Sequence, residues 1–286
     1  MKKVCLLALL CLAVGQLKAQ KAIVFKVKYL PNHEYKMAVS MGMKIDATLK
    51  GDQSLIDKLN AEGITQPVSV NFQFGMHADT KTGAVSSDNM IPLNMEVRVD
   101  SLSVIANGKQ APIPPNISEK SAKIVGRAGL DGLSMMIDSV AGKKTNDSTQ
   151  KNMKQMMSLF QKQIKFPEKG LKPGESFTQT MPLNIPIGKD STNKIHMDYS
   201  ITYKLISVAG GKAYFDVVPN FSMNFAIKTM NISMSGTGLG KMIYSIKDNF
   251  PLSNNGNFNL DIKVTSDKLN VDGKAVVTTN SNTMIN

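Results

Sequence analysis

Tryptophan is absent, and the 286 residues include only two arginines, three histidines and two cysteines. Each scarcity excludes something. Cys5 and Cys11 both fall in the first apolar stretch, so the chain beyond it has neither disulfides nor thiolate metal ligands and must be held by its core. Neither cysteine follows a small residue (Val4 precedes Cys5 and Leu10 precedes Cys11), so lipid attachment is not expected. The bidentate fork that reads bases and phosphates is almost missing, with Arg98 and Arg127 its sole carriers. The formal charge of +12 is therefore a lysine charge, scattered along polar faces such as Lys26, Lys28, Lys204 and Lys263, and nucleic acid is not an expected partner. His33, His77 and His196 stand apart from one another, which argues against a metal site.

Long apolar runs are also lacking beyond the start. Met1–Ala19 reads as a secretory signal, with Lys2 and Lys3 as the basic start and Val4–Val14 as the apolar run. That run is too short for a permanent span, so no transmembrane helix is expected. The expected product is exported, periplasmic or extracellular, and not lipid-anchored. Without Lys2, Lys3 and Lys18 its charge is +9.

What is abundant is alternation. Tyr35, Met37, Val39, Met41, Met43 and Ile45 share one parity, as do Val68, Val70, Phe72, Phe74 and Met76. Ile23, Phe25 and Val27 read as a short first strand before a turn at Pro31-Asn32. Leu93 to Val99 alternates, and a phase slip to Leu102 and Val104 predicts a bulge near Ser101. Residues 195–205, 213–227, 230–246 and 258–264 continue the pattern. Turns are predicted at Asn107-Gly108, Gly210-Gly211, Asn255-Gly256 and Asp272-Gly273, with a type II turn at Lys172-Pro173-Gly174-Glu175. Asp131-Gly132 favours a hairpin over residues 121–140, although Leu130, Leu133, Ile137 and Val140 would also fit a helix.

Two segments predict helices. Asp52 can cap a short one ending at Gly63. Met153, Met156, Met157, Phe160 and Ile164 form one apolar stripe of a second. The expected fold is mainly β: a long antiparallel meander curled into an open sheet or half-barrel, with one or two short helices over its concave apolar face. The domain reading is a leader at 1–19 and one β-rich unit at 20–286. Within it lie an N-terminal sheet half to 145, a helix and turn at 146–177, and a meander at 178–286.

No catalytic constellation stands out. His33-Glu34 lacks the second histidine of a zinc-protease motif, no G-x-S-x-G elbow occurs, and Ser191-x-x-Lys194 sits in a polar loop. Gly236, Gly238 and Gly240 share the parity of Met234 and Met242, leaving a bare strip of backbone. Two readings of the strip stand: packing against a covering helix, or the floor of a groove for an apolar ligand. The second gives a candidate lining of Met156, Met157, Phe160, Tyr199, Tyr203, Phe215, Met223, Phe225, Met234, Gly236, Gly238 and Gly240. The nineteen methionines suit such an adaptable apolar surface. No cofactor or metal is expected. An outer-membrane barrel is disfavoured, because its aromatic residues should gather in girdles, whereas here they are spread through the strands.

Several stretches together resemble a family of uncharacterised secreted β-rich proteins of Bacteroidota. They are Lys28–Lys36, Phe166–Phe177, Tyr203-Lys-Leu205 with Ala213-Tyr-Phe215, and Gly236–Tyr244. The resemblance implies a secreted β-rich fold and no reaction. The layout is also similar, at the level of fold, to curled-sheet lipoprotein carriers in which a half-barrel and helices enclose an acyl chain. Two functions follow as expectations: an exported non-enzymatic envelope protein binding a lipid or other apolar molecule between sheet and helix, or a structural or protein-interaction module of the envelope with a packed core.

Overall fold

The computed structural model describes residues 21–112, 121–132, 134–140, 143–144, 164–186, 194–227 and 229–286. The fold is mainly β. Its strands are β1 (Glu34–Gly51), β2 (Val68–Thr82), β3 (Met90–Ala106), β4 (Lys109–Gln110), β5 (Ser121–Gly129), β6 (Met135–Val140) and β7 (Lys143–Lys144). After a gap come β8 (Ser176–Pro186), β9 (Lys194–Ala209), β10 (Lys212–Ile227), β11 (Met230–Ser245), β12 (Phe250–Thr265) and β13 (Leu269–Ile285). Among the described residues one helix, α1 (Gln53–Ala61), joins β1 to β2.

All thirteen strands belong to one antiparallel sheet in the order β7-β6-β5-β3-β2-β1-β13-β12-β11-β10-β9-β8, with β4 paired beside β3. The sheet is open. Its centre is the pairing of the first and last long strands, which runs from Tyr35↔Ile285 to Gly51↔Leu269. Its two edges, β7 and β8, are neighbours in sequence.

β1–β3 and β9–β12 lie where alternation predicted strands, whereas β8 and β13 carry no such reading. Phe225 faces Ile232, Val264 faces Val271, and Leu49 faces Val271, so apolar parity is kept from strand to strand. A register slip of one residue would turn each of these side chains to water, which fixes the pairing. The expected bulge is Asp100: Gly75 pairs with Ser101, and Met76 with Val99. The 121–140 segment is a hairpin, with Gly132 at φ +74°. Glu175 N–H donates to Lys172 O at 3.0 Å with Gly174 at φ +92°, which closes the type II turn. Asp52 caps α1 through Ser54 N at 2.9 Å.

Four expectations need correction or lie elsewhere. Asn255-Gly256 and Asp272-Gly273 are not turns. They sit inside β12 and β13, where Gly256 pairs with Gly240 and Thr279, and Gly273 with Ala47 and Ile262. The turns are Ile246–Asn249, with Asn249 at φ +53°, and Ser266–Lys268. A dipeptide preference worth a fraction of a kcal/mol loses to long ladders that it would interrupt. Ile23–Val27 is not a sheet strand. It is an extended arm that joins the ladder of the described residues at the bridge Ile23↔Leu171. The described helix, α1, sits in the β1–β2 connection, with Ile56 as its buried residue. Of the second predicted helix, Met153–Ile164, all but Ile164 lies outside the described residues.

The arm covers one end of the apolar face. Phe25 packs on Phe166, Phe215 and Tyr244 with ring centroids 5.1–5.3 Å apart. Leu171 and Leu205 complete this core. Four residues on, Tyr29 meets Tyr35 at 5.0 Å and packs against Ile91, Leu93 and Ala128. The arm also measures the curl of the sheet. β5 and β11 are six steps apart in the order, or roughly 29 Å in a flat sheet. Yet a Cβ placed on Gly132, in the β5–β6 turn, would lie 1.9 Å from Val27 O, and Lys28 N–H donates to Asn249 O of the β11–β12 turn at 3.2 Å. Adjacent arm residues touch both turns. The sheet is therefore strongly curled, and its apolar face is the concave one.

Candidate functional site

The concave face has two halves with different fates. At the end of the sheet where the arm lies, burial is complete: Ile91, Leu205 and Ala213 are at 0 % exposure and Phe215, Met242 and Tyr244 at 1 %. Towards the opposite end, with α1 and the β12–β13 turn, the same parity continues but its side chains are half-buried. Rows cross the strands there. One runs Leu49, Val271, Val264, Ile232, Phe225. A second runs Ile262, Met234, Met223, Met197. A third, nearer the core, runs Phe72, Met43, Val277, Phe258.

Electrostatics separate the two faces. Among the described residues of β1–β3 and β9–β13, the concave parity carries no Asp, Glu, Lys, Arg or His. Charges pair on the outer face instead, as in Lys50–Asp272 at 2.9 Å and Lys44–Asp46 at 3.1 Å. Such exposed pairs are worth little in stability. At the Asp100 bulge the carboxylate is held by Arg98 Nε at 3.0 Å and by His77 Nδ1, which keep it below the usual carboxylate range. This trio faces solvent. Among the described residues no group of three or more His, Cys, Asp or Glu could hold a metal ion. Burial pushes up the phenols of Tyr199 and Tyr203 on the concave face, so both stay neutral.

The sequence-predicted lining divides accordingly. Tyr203 and Phe215 belong to the packed core, with Tyr203 stacked on Phe177 at 5.1 Å. Tyr199, Met223, Phe225 and Met234 stand together in the half-buried part, with Tyr199 paired to Phe221 and Met223 to Met234. Met156, Met157 and Phe160 lie outside the described residues. At Gly236, Gly238 and Gly240, an added Cβ would meet the carbonyl oxygens of Asn259, Asn257 and Asn255 at 2.0, 2.3 and 2.4 Å. These glycines let β11 approach β12. Leu260 and Pro219 crowd Gly236 and Gly238 further, at 2.8 and 3.1 Å, so the strip is not an empty groove there. A larger side chain at Gly238 would test the ladder rather than a ligand.

Two groups escaped sequence reasoning. The first is the β1–β2 half of the wall, Met41, Met43, Phe72 and Phe74, which reaches the β12 side only through the β1–β13 pairing. The same alternation marked it, but the alternation is silent on which strands are neighbours. The second is a dent of about 290 Å³ over the Gly240–Gly256 pair, lined by Leu239, Gly240, Lys241, Asn255, Gly256, Asn257 and Thr279. Thr279 and Ser281 occupy concave positions in β13, and Asn254, opposite Ser281, shares that parity in β12.

No protein-family model and no curated protein matches the chain. Among solved structures, similarity is found to the outer membrane protein OpdK of Pseudomonas aeruginosa, at 8 % identity and TM-score 0.24 over 90 % of this chain and 100 % of that one. OpdR of the same organism gives 5 % identity and TM-score 0.22 over 92 % and 100 %. At these TM-scores the likeness supports no conclusion about fold or function.

Proposed function

We propose that this is an exported, non-enzymatic protein of the cell envelope that holds a lipid or another apolar molecule against the concave face of its sheet. One observation carries the reading. The face is mainly apolar and free of charge in the long strands, and among the described residues the arm and residues 164–171 bury one end of it while the other end is half-buried. A packed core would be expected to bury both ends to the same degree. Concave, mainly apolar surfaces with few polar groups are the usual form of a small-molecule site. Export rests on the leader-like Met1–Ala19.

The test is native mass spectrometry of the leader-free protein, with solvent extraction of anything bound. A stoichiometric apolar adduct is the expected result. A clean apoprotein mass, with no uptake from an envelope lipid extract, overturns the reading and favours a protein-interaction module.

A further inference from the structure

Methionine faces methionine in one row of the sheet. Met223 of β10 pairs with Met197 of β9 on one side and with Met234 of β11 on the other. Among the described residues no other methionines are paired across strands. The three share the concave parity with Tyr199, Phe225 and Ile232, and all three are half-buried. Alternation along each strand marks them only as wall residues. The pairing of β9, β10 and β11 makes them neighbours.

The geometry suits a shared ligand. Neighbouring strands stand about 4.8 Å apart, and side chains directly opposite one another on one face are in reach of each other. On the inside of a curl, the tips of such side chains draw closer together than their backbones. Each thioether sits on an unbranched chain with three rotatable bonds. Three sulfurs from three strands can therefore close on one ion without moving the ladder.

The chemistry narrows the ion. Thioether sulfur is neutral and polarisable, and it selects soft cations such as Cu(I). A hard or divalent ion calls for carboxylate or imidazole, and the concave parity of β9–β11 offers neither among the described residues. Taking a doubly charged ion out of water with no anionic ligand is also far more costly than taking out a singly charged one.

We infer that Met197, Met223 and Met234 form a three-thioether site for a soft monovalent cation of the Cu(I) class. The inference stands on the strand pairing and does not depend on the apolar-ligand reading. The leader-free chain has no cysteine, so uptake of a thiophilic ion reports thioethers and not thiols. The probe is Ag(I), a redox-stable soft monovalent ion, titrated into the leader-free protein by calorimetry and native mass spectrometry, with Zn(II) as comparator. One Ag(I) per chain is expected, with no Zn(II) uptake at the same concentration. Met223→Leu conserves volume and should be tolerated by the fold. It should weaken Ag(I) binding at least about tenfold, the loss seen even when only an outer partner of a metal ligand is removed. Met43→Leu is the control, because Met43 pairs with Val277 and Phe72 and not with methionine. It should leave binding unchanged. Should Met223→Leu lose its β circular dichroism, Met197→Leu and Met234→Leu serve instead and should each show the same loss. Absence of Ag(I) uptake, equal uptake of Zn(II), or Ag(I) binding that the site variants weaken no more than Met43→Leu does overturns the inference and leaves the apolar-ligand reading as it stands.

Discussion

The Tyr244 hydroxyl donates to the carbonyl of Lys26 and accepts the Lys26 amide at 3.3 Å, so one side chain of β11 holds both backbone groups of one arm residue. These residues are 218 positions apart. The contact fixes the arm across the mouth of the curl, where Phe25 can reach Phe166 and Phe215.

Tyr244→Phe keeps the ring packing and removes both hydrogen bonds. A loss of about 1–3 kcal/mol is expected, because the two Lys26 groups then lack a partner. The urea midpoint of the leader-free protein measures it. An unchanged midpoint would show that the arm is held by ring packing alone.

Phe25→Ala and Phe166→Ala should each cost about 3–5 kcal/mol as cavity-forming substitutions. The rings touch at 5.1 Å, so the double variant should lose less than the sum. Strict additivity in chemical denaturation would mean that the arm and the 164–171 segment seal the core independently.

Gly238→Ala and Gly256→Ala should differ, although both glycines lie on the same face of adjoining strands. The Gly238 Cβ would meet Asn257 O at 2.3 Å, whereas the nearest contact at Gly256 is 3.6 Å. The first should destabilise by about 1–3 kcal/mol through strain in the β11–β12 ladder. The second should stay within about 0.5 kcal/mol. Thermal melts of the two proteins decide it, and equal melting temperatures would contradict the close approach.

Burial raises the phenol of Tyr244 to about 12, and burial aided by the neighbouring Tyr35 does the same for Tyr29. In the unfolded chain these groups ionise near 10. Between those values the unfolded state has lost protons that the folded state keeps, so stability falls as pH rises. The contribution is whole below about pH 10 and is lost on the way to pH 12. Denaturant midpoints across this range, read beside tyrosinate absorbance, should decline. A flat profile would mean that neither phenol resists ionisation in the fold.

Particular elements show how far local pattern reaches. The bulge at Asp100, the hairpin at Gly132 and the type II turn at Gly174 were all legible, because each is settled by a few adjacent residues and their φ preferences. Asn255-Gly256 and Asp272-Gly273 misled because the same local preference was overruled by pairing on both sides. Phe25 and Val27 looked like strand residues because an extended arm with one buried face alternates as a strand does, Val24 being 54 % exposed and Phe25 3 %.

By itself the sequence determined which side chains share a face, since successive Cβ atoms of an extended chain point opposite ways whatever the neighbours are. It thereby determined that one face would be free of charge. Only the tertiary structure decided that β1 lies beside β13 and that the sheet curls tightly enough for Val27 and Lys28 to touch two distant turns. Those outcomes depend on contacts between residues far apart in the chain, whose selection follows from the burial of whole rows of side chains rather than from any local signal.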